Sequence, residues 1–208
     1  MTSLDLSEGS AGSGSSESIA RSTMQKAYEK IRTSSSVAAG SSTACFGTLR
    51  EAHLEVANLG DSGFSIVRPS LDNPLVFASP PLTVGFNFPY QLSKNPEAHY
   101  ASQANHYSME LQHGDIILLY SDGLCDNLFE QDVAKFYKQA LDKGYSLEEA
   151  TKGVMREAIL VAYSQKKEKV KTPFEVDANK HGYKWDGGKL DDITILALQV
   201  FKNQTSKL

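Results

Sequence analysis

The chain has 208 residues, 40% of them hydrophobic, and a formal net charge of −4. That length suits one globular domain with a substantial core, and the acidic balance argues against a nucleic-acid surface, for which clustered basic charge is expected. No apolar run reaches the roughly 18 residues of a membrane span.

Residues 1–18 read as a flexible Gly/Ser-rich N-terminus, with "SEGSAGSGSSES" over 7–18. It has no apolar secretory core and no basic presequence: the charged side chains of residues 1–20 are Asp5, Glu8 and Glu17. From Ile19 the pattern is helical, with Ile19, Met24, Ala27, Tyr28 and Ile31 near one face. Ser- and Gly-rich residues 34–42 end that helix.

Strands follow in "STACFGTLR", "HLEVANL" and "GFSIVR", and again in "LVFA" (75–78). "HLEVANL" alternates as a half-buried strand does. Gly60-Asp61-Ser62-Gly63 is expected to separate it from the next strand as a hairpin-like turn. Residues 79–114 hold most of the prolines and three of the five histidines, and are expected to be an irregular crossing of the surface. His99, His106 and His113 are therefore read as surface or packing residues.

"DIILLY" (115–120) is a short apolar run, hence a buried strand. Helices are expected over about 130–142 and 146–166, the second opened by Ser146 and Glu149 at capping-box spacing. The lysines at 166, 167, 169 and 171, interrupted by Glu168, read as a solvated run. Residues 170–190 are expected to be loop and "ITILALQV" (193–200) a last buried strand, followed by a polar tail over 202–208. Strands first, then paired helices, then a returning strand is an α+β pattern. The domain is placed at 19–201.

Five apolar or aromatic residues run into Asp122 and Asp126, set four apart. A carboxylate beside a buried strand is costly unless solvated, paired or bound to a cation. Asp191 and Asp192 stand just before "ITILALQV". If that strand and "DIILLY" are antiparallel neighbours, the two sets of acids reach one sheet edge, and Asp61 also ends a strand. Converging carboxylates repel unless a cation lies between them, and an oxygen-only set favours hard ions such as Mg²⁺, Mn²⁺ or Ca²⁺. Each aspartate taken singly also suits a turn or a cap.

Thiol chemistry is a poor alternative. "CFGTLR" leaves four residues between Cys45 and Arg50, one short of a Cys-X5-Arg phosphate loop. Cys45 and Cys125 read as packed apolar residues, and two isolated cysteines fit a reducing compartment.

"AGSSTA" (39–44), "LEVANLGDSG" (54–63), "LLYSDGLCDNL" (118–128) and "GGKLDDITILAL" (187–198) occur in that order. Together they resemble the later motifs of the metal-dependent type 2C (PPM) protein serine/threonine phosphatases. "TVGFNFPYQLS" (83–93) resembles the organellar, mitochondrial branch. The resemblance implies a PPM-type β-sandwich with flanking helices in αββα layers. It further implies a binuclear Mn²⁺ or Mg²⁺ centre that activates water against a phosphoprotein substrate, with no side chain attacking phosphorus.

Residue by residue, Asp122 and Asp191 match the late metal-binding aspartates. Asp61 and Asp126 match acids tied to a further, weaker metal in some members, and Asp192 stands where many members have Asn. The family's first motifs, with a bridging Asp-Gly and a phosphate-binding Arg, have no counterpart in residues 1–18. The expectation is a phosphatase domain lacking its N-terminal portion, with a phosphatase-like binding protein as the alternative. Strands missing from the sandwich would leave exposed sheet edges.

Overall fold

The computed structural model describes residues 18–37, 39–95, 97–164 and 171–201. The Gly/Ser-rich N-terminus before Ser18 and the polar tail lie outside the described residues, as do most of the lysine run. In chain order the elements are α1 (Ile19–Thr33), β1 (Ser41–Ser42), β2 (Ala44–Arg50), β3 (His53–Leu59), β4 (Gly63–Val67) and β5 (Leu75–Ala78). There follow β6 (Thr83–Gly85), β7 (Phe88–Pro89), β8 (Leu92–Ser93), a 3-10 turn at Ala101–Gln103, β9 (Asn105–Glu110) and β10 (Ile116–Tyr120). The chain continues with α2 (Asp122–Cys125), α3 (Glu130–Asp142), α4 (Leu147–Ala162), α5 (Pro173–Lys180) and β11 (Ile195–Gln199).

Two antiparallel sheets face each other, one ordered β11-β10-β4-β5 and the other β2-β3-β9. Alternation along β10 explains how one strand serves two layers. Ile116, Leu118 and Tyr120 pack outward against Val133 and Tyr137 of α3 and Val154 and Ala158 of α4. Ile117 and Leu119 point inward to Phe64, Ile66, Leu54 and Val56 between the sheets. On the far side, Ala20, Met24 and Tyr28 of α1 cover Ala57 and Leu59 of β3. The layers are therefore α, β, β, α, as the resemblance implies. Burying each large apolar side chain here contributes about 1.5–3 kcal/mol.

Phe64, Phe77 and Tyr107 meet with ring centroids 5.2–5.3 Å apart and close the sandwich on its β5/β9 side. The opposite side is bounded by the edge strands β11 and β2. There Leu196, Leu198 and Leu49 are 52%, 45% and 45% exposed, so "ITILALQV" forms a half-exposed edge strand rather than the buried one expected from its apolar run.

Three further expectations are corrected. The segment 79–114 contains four strands, and β9 pairs with β3 along its whole length. Polar His106, Ser108 and Glu110 alternate with Tyr107 and Met109, so no apolar run marks β9. Residues 170–190 contain α5, whose eight residues are too few for a helical period, although Thr172 caps it and Pro173 stands in its first turn. "HLEVANL" is half-buried only at its start, since Ala57, Asn58 and Leu59 are all buried.

Candidate metal centre

β10 and β11 run antiparallel with Tyr120 opposite Ile195, which brings the end of one strand to the start of the other. Ser121 fastens the junction. Its N–H donates to the Thr194 carbonyl at 3.2 Å, and its Oγ donates to the Asp192 carbonyl at 2.8 Å while accepting from the Thr194 N–H at 2.9 Å.

Asp122 then opens the single turn of α2 and Asp126 closes it, so the four-residue spacing puts both carboxylates on one face. A Cβ on Gly123 would lie 2.7 Å from the Asp192 carbonyl oxygen, so glycine is what lets the two segments touch. Gly188 is tighter still: its Cβ would meet the Val161 carbonyl oxygen at 2.1 Å. Gly187 is tied to α5, donating to Glu175 Oε2 at 3.0 Å and accepting from Thr172 Oγ1 at 2.8 Å.

This folding gathers Asp122, Asp126 and Asp191, with one carboxylate oxygen of each lying within 4.8 Å of the others. Among the described residues it is the one such convergence of three or more acidic, His or Cys ligands. At its centre stands a residue that the reading of the acids passed over. Lys189 Nζ donates to Asp126 Oδ2 at 2.6 Å, Asp122 Oδ2 at 3.2 Å and Asn87 Oδ1 at 3.2 Å, and pairs with Asp191 Oδ2 at 3.1 Å. Its ammonium also lies 4.9 Å from the centre of the Phe174 ring. The signal was in "GGKLDD", where a lone cation sits two residues before Asp191.

The electrostatics follow from crowding and burial. Burial pushes the Asp126 carboxyl up to about 6, against the pull of the Lys189 hydrogen bond. Burial also opposes charge on Asp191, but hydrogen bonds from Lys189 and the Asp192 N–H outweigh it and hold the carboxyl below its usual value. Lys189 loses solvation, yet its bonds to Asp126 and Asp191 raise its affinity for the proton, so it is firmly cationic.

Asp61 lines the same cleft as Asp122 and Asp126 without joining the three-carboxylate group. Burial and then the Asp122 charge raise its carboxyl. Asp192 gives its backbone carbonyl to the junction and also stands outside the group.

The cleft measures about 220 Å³. One wall is aromatic. Phe86, next to Asn87 at the β6–β7 hairpin tip, stacks on Tyr183 at 4.9 Å and His181 at 5.4 Å and meets Phe174 at 5.2 Å. Trp185 packs edge-on to Phe174 at 4.9 Å. These rings join two segments distant in sequence. Neither cysteine offers a thiolate, because burial pushes Cys45 up to about 12 and raises Cys125 well above its usual value.

The donor set consists of hard carboxylate oxygens, and the site already accommodates one positive charge, that of Lys189. It therefore fits a hard divalent cation such as Mg²⁺ or Mn²⁺. Asp122, Asp126 and Asp191 are the residues that would hold it.

No family model matches the chain. "Probable protein phosphatase 2C 80" of Arabidopsis thaliana is 35% identical over 177 residues, which is 85% of this chain and 40% of that protein. "Protein phosphatase PTC7 homolog" of Danio rerio is 37% identical over 167 residues, 76% of this chain and 54% of that one. The chain thus spans well under two thirds of these relatives. Among solved structures, the photosystem II phosphatase PBCP superposes with a TM-score of 0.74 at 24% identity, covering 88% of this chain and 71% of that chain.

Proposed function

We propose that this chain, a relative of the protein phosphatase 2C proteins in sequence and in fold, hydrolyses phosphoserine and phosphothreonine esters of proteins at the cleft bounded by Asp61, Asp122 and Asp126. The observation that carries this reading is the meeting of three carboxylates from segments more than sixty residues apart, at the open end of two paired strands. In the reaction water adds to phosphorus, the ester P–O bond breaks, and a serine or threonine hydroxyl and inorganic phosphate leave.

A divalent cation bound here would supply water acidified enough to attack at neutral pH and would neutralise phosphoryl oxygen charge. The chain's own residues do the rest. Asp122, Asp126 and Asp191 would hold the cation. Phe86 and Phe174 bound the cleft with apolar surface on one side. Asp61, as an outer acid on the same cleft, fits the role of a ligand for a further, weaker cation.

The test is release of phosphate from a phosphoserine peptide with Mn²⁺. The expected result is turnover that Asp122→Asn and Asp191→Asn each lower by at least about 10²-fold. A second reading is a phosphatase-like protein that binds phosphoprotein without hydrolysing it. The ion pairs of Lys189 with all three acids favour it. Binding of the phosphopeptide with no phosphate released at saturating Mn²⁺ identifies that case.

A further inference from the structure

We propose that Lys189 is a tethered counter-cation that holds the acidic centre together without metal, and that a divalent cation enters by displacing it. This rests on the reading of Asp122, Asp126 and Asp191 as metal ligands.

The geometry leaves room for one cation at a time. All three carboxylates already bond Nζ at 2.6–3.2 Å. An ion bonded to all three carboxylates, whose oxygens lie within 4.8 Å of one another, would stand in the space the ammonium fills or directly beside it. Positive charges that close repel strongly in a partly desolvated cleft. The lysine can leave, because its four-carbon stem is flexible and its ammonium is readily hydrated. The backbone of Lys189 cannot follow, since Asn127 grips it from both sides. The displaced ammonium therefore stays at the cleft rim.

Two consequences follow. The carboxylates stay gathered without metal, because Lys189 removes the repulsion that would otherwise spread them. The apparent metal affinity is lower than the ligand set alone would give, because three ion pairs must first break.

The experiment titrates MnCl₂ alone into the wild-type protein and Lys189→Gln, followed by calorimetry. The variant should bind Mn²⁺ at least about tenfold more tightly, while melting at a lower temperature than wild type in EDTA. A second measurement needs no variant. Amine acetylation mapped by mass spectrometry should modify Lys189, 15% exposed in its side chain, faster at saturating Mn²⁺ than in EDTA. Equal Mn²⁺ affinity in both proteins, or acetylation of Lys189 unchanged by metal, overturns the displacement and leaves the metal centre standing. No Mn²⁺ bound by either protein overturns both. If Lys189→Gln does not fold, the acetylation result decides.

Discussion

The carboxamide of Asn127 clamps the backbone of Lys189 on both sides, donating to its carbonyl at 2.9 Å and accepting from its N–H at 3.0 Å. The same Nδ2 donates to the Gly123 carbonyl at 2.8 Å. One side chain, almost fully buried, thus joins the turn that carries Asp122 to the loop that carries Asp191. Asn127→Ala would leave several buried backbone groups without partners, at a cost of about 2–3 kcal/mol. Urea denaturation should show that loss. Mn²⁺ affinity should fall with it, since the acids would no longer be held in register.

An ion pair with a buried carboxylate fixes the opposite end of β10. Asp115 is fully buried and accepts from Arg68 Nε at 2.7 Å, Arg68 Nη2 at 2.9 Å and the Gln112 N–H at 2.7 Å. Asp115→Ala leaves the partly exposed Arg68 guanidinium and the Gln112 N–H without their acceptor, which should cost about 2–3 kcal/mol. Chemical denaturation of the variant tests this, and a change below 1 kcal/mol would contradict it.

Glu55 predicts a pH dependence far from the metal centre. Its Oε2 accepts from Ser18 Oγ and the Ile19 N–H, each at 3.0 Å, tying the start of α1 to β3. Burial opposes its charge, but these bonds prevail and set its carboxyl below the ordinary 4.5. The unfolded chain therefore takes up the proton first as pH falls. The stabilisation is complete above 4.5 and is lost as pH drops through the lower folded value. Urea midpoints measured from about pH 6 to pH 3 should decline less steeply in Glu55→Gln than in wild type.

Much of this architecture was legible in the sequence, and the gaps have physical causes. β10 is visible because both its faces are buried, giving "IILLY" no polar interruption. α4 is visible because Ser146 and Glu149 form the reciprocal cap that their spacing announces. β9 was hidden because one face meets solvent and carries His106, Ser108 and Glu110. The acids could be picked out because each adjoins a strand or turn whose limits are marked. Lys189 is marked only by its place two residues before Asp191, because its other two acidic partners come from positions more than sixty residues away and only the folded chain shows all three converging. The aromatic wall is equally non-local, pairing Phe86 with Phe174 and Tyr183.

The open side of the sandwich gives a prediction about association. Leu196 and Leu198 are exposed on the edge strand β11, and an apolar edge is a template for pairing with another chain. Leu198→Lys should change stability by less than about 0.5 kcal/mol, while lowering the tendency to self-associate in light scattering. A large loss of stability would show that this leucine is covered in solution.

The most direct test of the metal centre is the anomalous difference map of a crystal soaked in MnCl₂, recorded near the manganese absorption edge. A peak bonded to carboxylate oxygens of Asp122, Asp126 and Asp191, absent from Asp191→Asn crystals, is the predicted result. Bound manganese elsewhere, or none at saturating concentration with Lys189 still paired to all three acids, would contradict the account.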